Sequence, residues 1–120
     1  MRGDEDVLAH FERARASQVL VAEPAWAEIE YGIARLQPSR RRERLSNRLE
    51  LLRKNIQTTP WTADVSACFG IIKAVLEKRG ARLEDFDLAI AAHALAIDAT
   101  LVTGNQRHLG RVDDLKLTEW

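Results

Sequence analysis

Hydrophobic residues follow two spacings along the chain, and their alternation predicts short strands separated by helices. Apolar residues three and four positions apart, the spacing of a helix, recur in four segments: 24–36, 39–54, 62–79 and 88–97. Short β-branched or alternating runs, which are typical of strands, occupy four others: 18–22, 55–59, 99–103 and 115–120. A short helical turn is predicted to end at Leu109. This order indicates an α/β fold, a three-layer α/β/α sandwich on a parallel sheet.

Local signals mark the ends of the two later helices. Thr62 is suited to cap the third predicted helix, and Gly80 is suited to stop it. Either Asp85 or Asp87 is expected to open the fourth, which has almost no polar face. Because a helix that is apolar on all sides avoids water, we expect this helix to be buried between layers.

Composition limits the class of protein. The chain has 120 residues, of which 46% are hydrophobic and 30% charged, so it is expected to form one globular domain over 1–120. No apolar run approaches the length of a membrane span, and the polar start Met1–Asp6 is unlike a signal peptide. The single cysteine, Cys68, has no partner for an intramolecular disulfide. A cytoplasmic location is therefore expected.

Charge is balanced in total but uneven along the chain. Eighteen basic residues offset eighteen acidic ones. The range Arg35–Lys54 contains eight basic residues, whereas Glu84–Asp98 contains four acids and no Lys or Arg. A neutral total therefore leaves room for a basic face and an acidic pocket. The basic run is interpreted as a solvated helix face or, alternatively, as a phosphate-binding one.

Polar residues capable of chemistry follow three of the predicted elements. Glu28 lies in the helix after the first strand, Asp87 at the start of the buried helix, and Thr103 and Asn105 after the strand 99–103. In open parallel sheets, ligands bind beyond the carboxyl ends of the strands, where these residues can converge. Their hard oxygen atoms suit Mg²⁺ or Mn²⁺ better than zinc.

Simpler interpretations compete at every one of these positions. Glu28 fits a solvated helix face, and an Asp before an apolar helix is, on spacing alone, more often a cap. Asn105 after a glycine is typical of a turn, and His93 among alanines is typical of a core histidine. A nucleotide-binding domain is disfavoured, because no glycine-rich phosphate loop follows any predicted strand. Spacing alone thus leaves the function open.

Three blocks of the sequence resemble PIN-domain ribonucleases of the VapC toxin type. The stretch 21–33 places an aromatic residue and a glycine, Tyr31 and Gly32, soon after Glu28, as in the second block of that family. The stretch 83–95, in which Asp87 heads an apolar helix, resembles the third block. The stretch 101–109 and the terminal Glu-Trp pair resemble the closing block.

The resemblance implies an Mg²⁺- or Mn²⁺-dependent ribonuclease that hydrolyses RNA phosphodiester bonds. Glu28 and Asp87 occupy the positions of two metal-binding carboxylates, and Thr103 that of the polar residue beside them. Asn105 stands where many members have a fourth acid. Candidate contacts to the RNA backbone are three arginines: Arg40, Arg41 and Arg44.

The same resemblance implies protein partners. A small antitoxin is expected to cover the acidic groove, with the helices 39–54 and 62–79 facing it, and the toxin is expected to form a homodimer. No membrane partner is expected.

The start of the chain departs from the family pattern. PIN domains open with a central strand that ends in an Asp, whereas this chain begins with Met1–Asp6 and is expected to lack that strand and its carboxylate. A misplaced start codon is the favoured explanation over a truncated gene. The alternative function is therefore a catalytically dead PIN remnant that only binds antitoxin.

Overall fold

A computed structural model describes residues 4–13, 20–102 and 106–118. The chain divides into two compact units, Met1–Thr59 and Pro60–Trp120, called here the N-terminal and the C-terminal unit. The helices of the N-terminal unit are α1 (Asp4–Arg13), α2 (Glu23–Ala34) and α3 (Arg40–Asn55). Its strands are β1 (Leu20–Ala22) and β2 (Gln57–Thr59).

The C-terminal unit continues the alternation of helices and strands. Its helices are α4 (Ala63–Lys78), α5 (Asp85–Ala96) and α6 (Gln106–Leu109). Its strands are β3 (Leu101–Val102) and β4 (Leu117–Thr118). Every helix and strand predicted from the pattern is present, with bounds that differ from the predicted ones by up to three residues. The α/β fold class is therefore confirmed, and the described residues contain no helix long and apolar enough to cross a membrane.

Parallel pairing, which the sequence predicts, occurs in each unit. β1 pairs with β2 with Val21 opposite Thr58, and β3 pairs with β4 with Leu101 opposite Leu117. The described strands thus form two separate two-stranded parallel sheets. A two-stranded sheet is marginally stable in water, so each one depends on the helices packed against it.

Trp26 of α2 is the centre of the N-terminal core. It is 0% exposed, and its indole Nε1 donates a hydrogen bond to Thr58 Oγ1 over 2.8 Å, which joins α2 to β2. The buried side chains around it come from all three helices, from β1 and from Ile56, which caps the end of α3: Leu8, Val21, Ile29, Ile33, Leu45, Leu49, Leu52 and Ile56. α3 starts where its sequence indicates, because Ser39 Oγ accepts the amide hydrogen of Arg42.

Helix α1 is an element that the pattern analysis did not predict. It is only ten residues long, and its apolar side is limited to Val7, Leu8 and Phe11. Leu8 is fully buried, and the Phe11 ring meets the Trp26 indole edge to face at 5.9 Å between centroids. Tertiary packing thus stabilises a helix too short to be evident alone.

The two long helices of the C-terminal unit have the predicted ends, with one correction. Thr62 Oγ1 accepts the amide hydrogen of Val65 at the start of α4, and Gly80 follows the helix with a φ of 68°. At the start of α5, however, the cap residue is Glu84, whose side chain makes no capping hydrogen bond. The prediction that Asp85 or Asp87 caps this helix is wrong, since both lie inside its first turn.

Helix α5 is buried over most of its surface, as its sequence predicts. Its alanines let α4 approach closely, so that Val65, Ile72 and Leu76 of α4 pack against Leu88 of α5. His93 is 1% exposed. Its Nδ1 lies 2.7 Å from the carbonyl oxygen of Ala89, so Nδ1 carries the hydrogen and donates it. The interpretation of His93 as a hydrogen-bonded core residue is confirmed.

Candidate active site

Asp87 is a carboxylate of the C-terminal unit whose pKa is raised by its surroundings. It lies in the first turn of α5 and is half-buried. Burial raises the pKa of its carboxyl group, the neighbouring Glu84 raises the pKa further, and His108 partly opposes both. The surroundings of such a carboxylate destabilise its ionised form, and a bound cation would stabilise that form.

The neighbouring Asp85 has a different environment. Its Oδ1 accepts a hydrogen bond from Lys73 Nζ at 3.0 Å, and its side chain is largely exposed. Asp87 forms no ion pair with any residue that the structure describes. Of these two acids, only Asp87 combines burial with an unneutralised charge, so the structure favours Asp87 as the functional one.

The other predicted site residues are placed less completely. Glu28 is exposed on α2, in the N-terminal unit, between the buried residues Trp26 and Ile29. Thr103 and Asn105 lie outside the described residues. Convergence of these side chains with Asp87 therefore stays a prediction. Within residues 4–13, 20–102 and 106–118, no three His, Cys, Asp or Glu side chains form a group that could hold a metal.

Two neighbours of Asp87 were not singled out in the sequence. Glu84 was one of several acids in its segment, and the spacing of His108 along the chain does not match a metal-ligand motif. The structure brings the charges of both to Asp87. A topological signal was present for His108, because it lies in α6, directly beyond β3, where side chains gather at the carboxyl end of a parallel strand.

The arginines of α3 divide into paired and unpaired groups. Arg41 Nε donates to Glu5 Oε1 at 3.0 Å, and Arg48 makes two hydrogen bonds to the carboxylate of Glu12. Arg40 and Arg44 form no ion pair with the described residues and lie one turn apart on exposed positions. Among the three predicted RNA contacts, Arg40 and Arg44 are thus available to a phosphate, whereas Arg41 is engaged by Glu5.

A small cavity in the C-terminal unit does not serve as an alternative site. Its volume is about 140 Å³, and its lining residues include Lys73, Leu83 and Asp85 but not Asp87. Pockets that enclose small-molecule ligands usually measure roughly 300–1,000 Å³. This cavity is below that range, and two of its charged residues, Lys73 and Asp85, already pair with each other.

Comparison with known proteins decides the family. The sequence profile of the PIN domain matches residues 2–115. The chain belongs to the PIN-domain family. The match includes Glu28 and Asp87, and it confirms the resemblance seen in the three sequence blocks.

Ribonucleases are among the relatives of this PIN domain. Ribonuclease VapC2 of Rickettsia felis is 28% identical over 107 residues, which are 89% of this chain and 78% of that protein. Ribonuclease VapC2 of Haemophilus influenzae is 30% identical over 115 residues, 96% of this chain and 84% of that protein. The similarity therefore spans both units of the PIN domain.

Solved structures share its fold. VapBC2 from Rickettsia felis, bound to a DNA fragment from its promoter, has a TM-score of 0.80 and 24% identity and covers 98% of this chain, with 96% of its own chain matched. VapBC-1 from nontypeable Haemophilus influenzae has a TM-score of 0.77 and 26% identity, covering 96% of this chain and 85% of its own. The α/β architecture of the PIN domain is thus the one found in these VapBC complexes.

Proposed function

We propose that the chain is the toxin of a type II toxin–antitoxin system and acts as a metal-dependent endoribonuclease on RNA phosphodiester bonds. Asp87 carries this proposal. It is a half-buried carboxylate with a raised pKa at the start of a buried helix, in a sequence block shared with PIN-domain ribonucleases. Its burial, its charge and its position are those of a ligand for a cation.

The donor set fits Mg²⁺ or Mn²⁺. Asp87 offers carboxylate oxygens, Glu84 adds negative charge beside it, and we propose Glu28 as a second ligand. Thr103 and Asn105 are proposed to complete the polar surroundings. When bound, such a cation supplies an activated water and neutralises charge on the scissile phosphate. Zinc is disfavoured, because these donors are oxygen atoms.

The protein groups have separate roles in this proposal. Asp87 is held by its rigid helix, whose N-terminal dipole favours the ionised carboxylate. Arg40 and Arg44 bind phosphates of the RNA backbone and position it, and Arg41 contributes only if its pair with Glu5 opens. We also propose that the whole range 1–120 acts as one PIN domain.

The proposed partners are a cognate antitoxin and a second copy of the chain. The solved structures similar to this PIN domain are VapBC complexes, which support an antitoxin as partner. A bound antitoxin would cover the acidic groove and hold the ribonuclease inactive. A cytoplasmic location, where RNA is the substrate, agrees with this function.

Asp87→Asn tests the proposal, with Asp85→Asn as the matched control. Both changes remove one carboxylate charge from the first turn of α5, but only Asp87 is proposed to touch the cation. We expect Asp87→Asn to lower RNA cleavage in Mn²⁺ by at least about a hundredfold, and Asp85→Asn to change it by less than about threefold. Cleavage should also stop in a chelator and return with added metal.

Equal activity of both variants, with metal dependence unchanged, would exclude Asp87 as the ligand. A circular dichroism spectrum of each variant is the control for folding. Because both positions lie in the same helical turn, a loss caused by helix disruption alone would appear in both.

Antitoxin binding without catalysis is the second candidate function. The observation that favours it is Asn105, a neutral amide where many family members carry an acid. A binding-only chain would co-purify with its antitoxin and leave RNA intact in Mn²⁺ after the antitoxin is removed. Asn105→Asp then serves as a gain-of-function test, since only a site short of one charge should gain cleavage from it.

A further inference from the structure

Tyr31 is an aromatic residue of α2 to which the proposed function gives no role. It is 67% exposed, more than Trp61 at 46% or Phe86 at 49%. Its hydroxyl group forms no hydrogen bond with the residues that the structure describes, so neither burial nor a polar contact accounts for the ring. Single exposed apolar residues are common on protein surfaces, so a role for Tyr31 depends on what surrounds it.

A cation lies over the ring of Tyr31. The guanidinium carbon Cζ of Arg35 is 5.8 Å from the ring centroid, within the range of a cation–π contact. Arg35 forms no ion pair with a carboxylate in the described part of the chain, whereas Arg53 of α3 is engaged by Glu23. The Tyr31–Arg35 pair therefore combines a flat aromatic surface with a positive charge that the described fold does not neutralise.

Tyr31 lies on the same side of α2 as Glu28. Glu28, Tyr31 and the cap residue Arg35 are spaced three and four residues apart, so they are neighbours along one exposed side of the helix. Ala27 and Ala34, one turn before and one turn after Tyr31, are exposed and small, and they leave space beside its ring. A planar group on the ring would thus lie one helical turn from Glu28, the proposed metal ligand.

We propose that the Tyr31–Arg35 pair binds one nucleotide of the RNA substrate. The base stacks on the face of the Tyr31 ring that Arg35 leaves free. One phosphate of this nucleotide contacts the Arg35 guanidinium, and its other phosphate, at the bond that is cleaved, lies towards Glu28. This inference rests on the proposed ribonuclease function and names the residues that position the strand. Because every base has a π face, such stacking holds a single strand without selecting its sequence.

Charge selects a nucleic acid strand over a protein segment as the occupant. Arg35 begins the basic run 35–54, in which Arg40 and Arg44 also form no ion pair with the described residues. Aromatic rings combined with such unneutralised cations are the means by which proteins hold single-stranded RNA. An apolar segment of an antitoxin would bury the ring but leave these charges unpaired.

Binding of single-stranded RNA to the full chain tests this nucleotide site. The chain carries Asp87→Asn, is freed of antitoxin and is kept in a chelator, so that the RNA stays intact. The probes are an oligouridine of ten nucleotides and a backbone of the same length with abasic units in place of the nucleosides. Tyr31→Leu should weaken oligouridine binding by about tenfold and binding of the abasic backbone by less than about twofold, because it removes only stacking. Tyr31→Phe keeps the ring and should bind both probes like its parent.

Arg35→Gln separates the phosphate contact from the stacking contact. It should weaken the binding of both probes and lower the slope of log affinity against log salt by about 0.7, the value for one phosphate contact to a single strand. Trp61→Leu, which removes another partly exposed aromatic residue, is the matched control. It should change neither the affinities nor the slope.

Photocrosslinking identifies the stacked ring directly. Oligouridine that contains 5-iodouridine crosslinks on irradiation to an aromatic side chain in contact with its base. We expect mass spectrometry of the digested complex to find this crosslink at Tyr31. The crosslink should be lost in Tyr31→Leu and kept in Tyr31→Phe.

Oligouridine binding that is absent, or that Tyr31→Leu leaves unchanged, overturns the inference, as does a crosslink at Trp61 or Phe86 instead of Tyr31. A Tyr31→Leu chain that binds RNA normally but no longer holds antitoxin also overturns it and assigns the ring to the antitoxin. These measurements need neither metal nor cleavage. A chain that stacks RNA on Tyr31 but cleaves none would therefore remove only the proposed ribonuclease. Metal-dependent cleavage combined with normal RNA binding by Tyr31→Leu would remove only this inference.

Discussion

The basic helix α3 and the acidic start of α5 are both charged runs in the sequence, but their charges have different partners in the structure. In α3, three arginines are engaged by carboxylates of other helices: Arg41 by Glu5, Arg48 by Glu12 and Arg53 by Glu23. In α5, Asp85 is paired with Lys73, whereas Asp87 is half-buried without an ion pair among the described residues. A charge that the fold itself neutralises contributes to stability, and one left unneutralised is available to a ligand.

Burial and internal ion pairs rank the candidate residues within a charged run. A run of arginines looks uniform along the chain, but only Arg40 and Arg44 among the predicted RNA contacts are free of internal ion pairs within the described residues. The acids of α5 look equally uniform, but their burial and partners separate Asp87 from Asp85. Substitution of a paired arginine in α3 is thus expected to change stability more than function. Substitution of Asp87 in α5 is expected to change function more than stability.

The largest effect on stability is expected from Trp26→Ala in the N-terminal unit. This change removes a fully buried indole and its hydrogen bond to Thr58, and it should lower the free energy of unfolding by about 3–5 kcal/mol. Trp61→Ala, at a half-exposed tryptophan of the C-terminal unit, is the control and should cost less than half as much. Urea unfolding followed by circular dichroism measures both. Equal losses of unfolding free energy would show that the difference in burial does not decide how much each tryptophan stabilises the fold.

A pH-dependent effect is expected from Asp87→Asn. The raised pKa means that the folded chain binds this proton more tightly than the unfolded chain, whose carboxyl keeps its usual value near 3.8. The stabilising contribution is present below pH 3.8 and is lost as the pH rises through the folded pKa. Asp87→Asn should therefore be more stable than wild type at pH 7 and indistinguishable from it at pH 3. Thermal unfolding at the two pH values checks this, and a variant less stable at pH 7 would contradict it.

A smaller effect with the opposite pH dependence is expected from Arg48→Gln. The hydrogen bonds from Arg48 lower the pKa of Glu12, so this pair stabilises the fold above the usual carboxyl range and loses its effect as the pH falls through the folded pKa. Because both side chains are more than one-third exposed, the loss at pH 7 should be at most about 1 kcal/mol and should shrink in high salt. A loss independent of salt would indicate packing rather than charge.

The smallest effect on stability is expected from the double change Arg40→Gln and Arg44→Gln, which should stay within about 0.5 kcal/mol of wild type. RNA binding should respond instead. In an Asp87→Asn background, which prevents cleavage, the slope of log affinity against log salt should fall by about 1.4 for two lost phosphate contacts. Arg48→Gln is the matched control and should leave that slope unchanged. If Arg48→Gln lowers the slope and the double variant does not, Arg48 rather than Arg40 and Arg44 contacts the phosphates.

Much of the fold could be predicted because its signals are local. The cap at Thr62, the stop at Gly80 and the apolar surface of α5 are encoded within a few residues. Helix α1 escaped prediction because a short helix with three apolar residues is stabilised by packing against Trp26, a contact distant in sequence. The cap of α5 was wrongly assigned, because the helix begins at Asp85 and its cap position is occupied by Glu84.

The candidate site was predicted in part. The family blocks indicated Glu28, Asp87, Thr103 and Asn105, and the environment of Asp87 supports its selection. The contribution of His108 required the fold, because α6 is separated from α5 in the chain and the charge of His108 reaches Asp87 only through space.

The order of the elements after α1, the parallel pairing and the family follow from the sequence alone, since periodicity, caps and block motifs are properties of neighbouring residues. Only the tertiary structure decided which charges are neutralised and which apolar residues stay exposed. Arg41 and Arg44 have the same chemistry, and Ile71 and Ile72 are the same residue, but Ile72 is buried while Ile71 is in water. Burial and Coulomb energy depend on distances in space, which residues far apart in the chain set together.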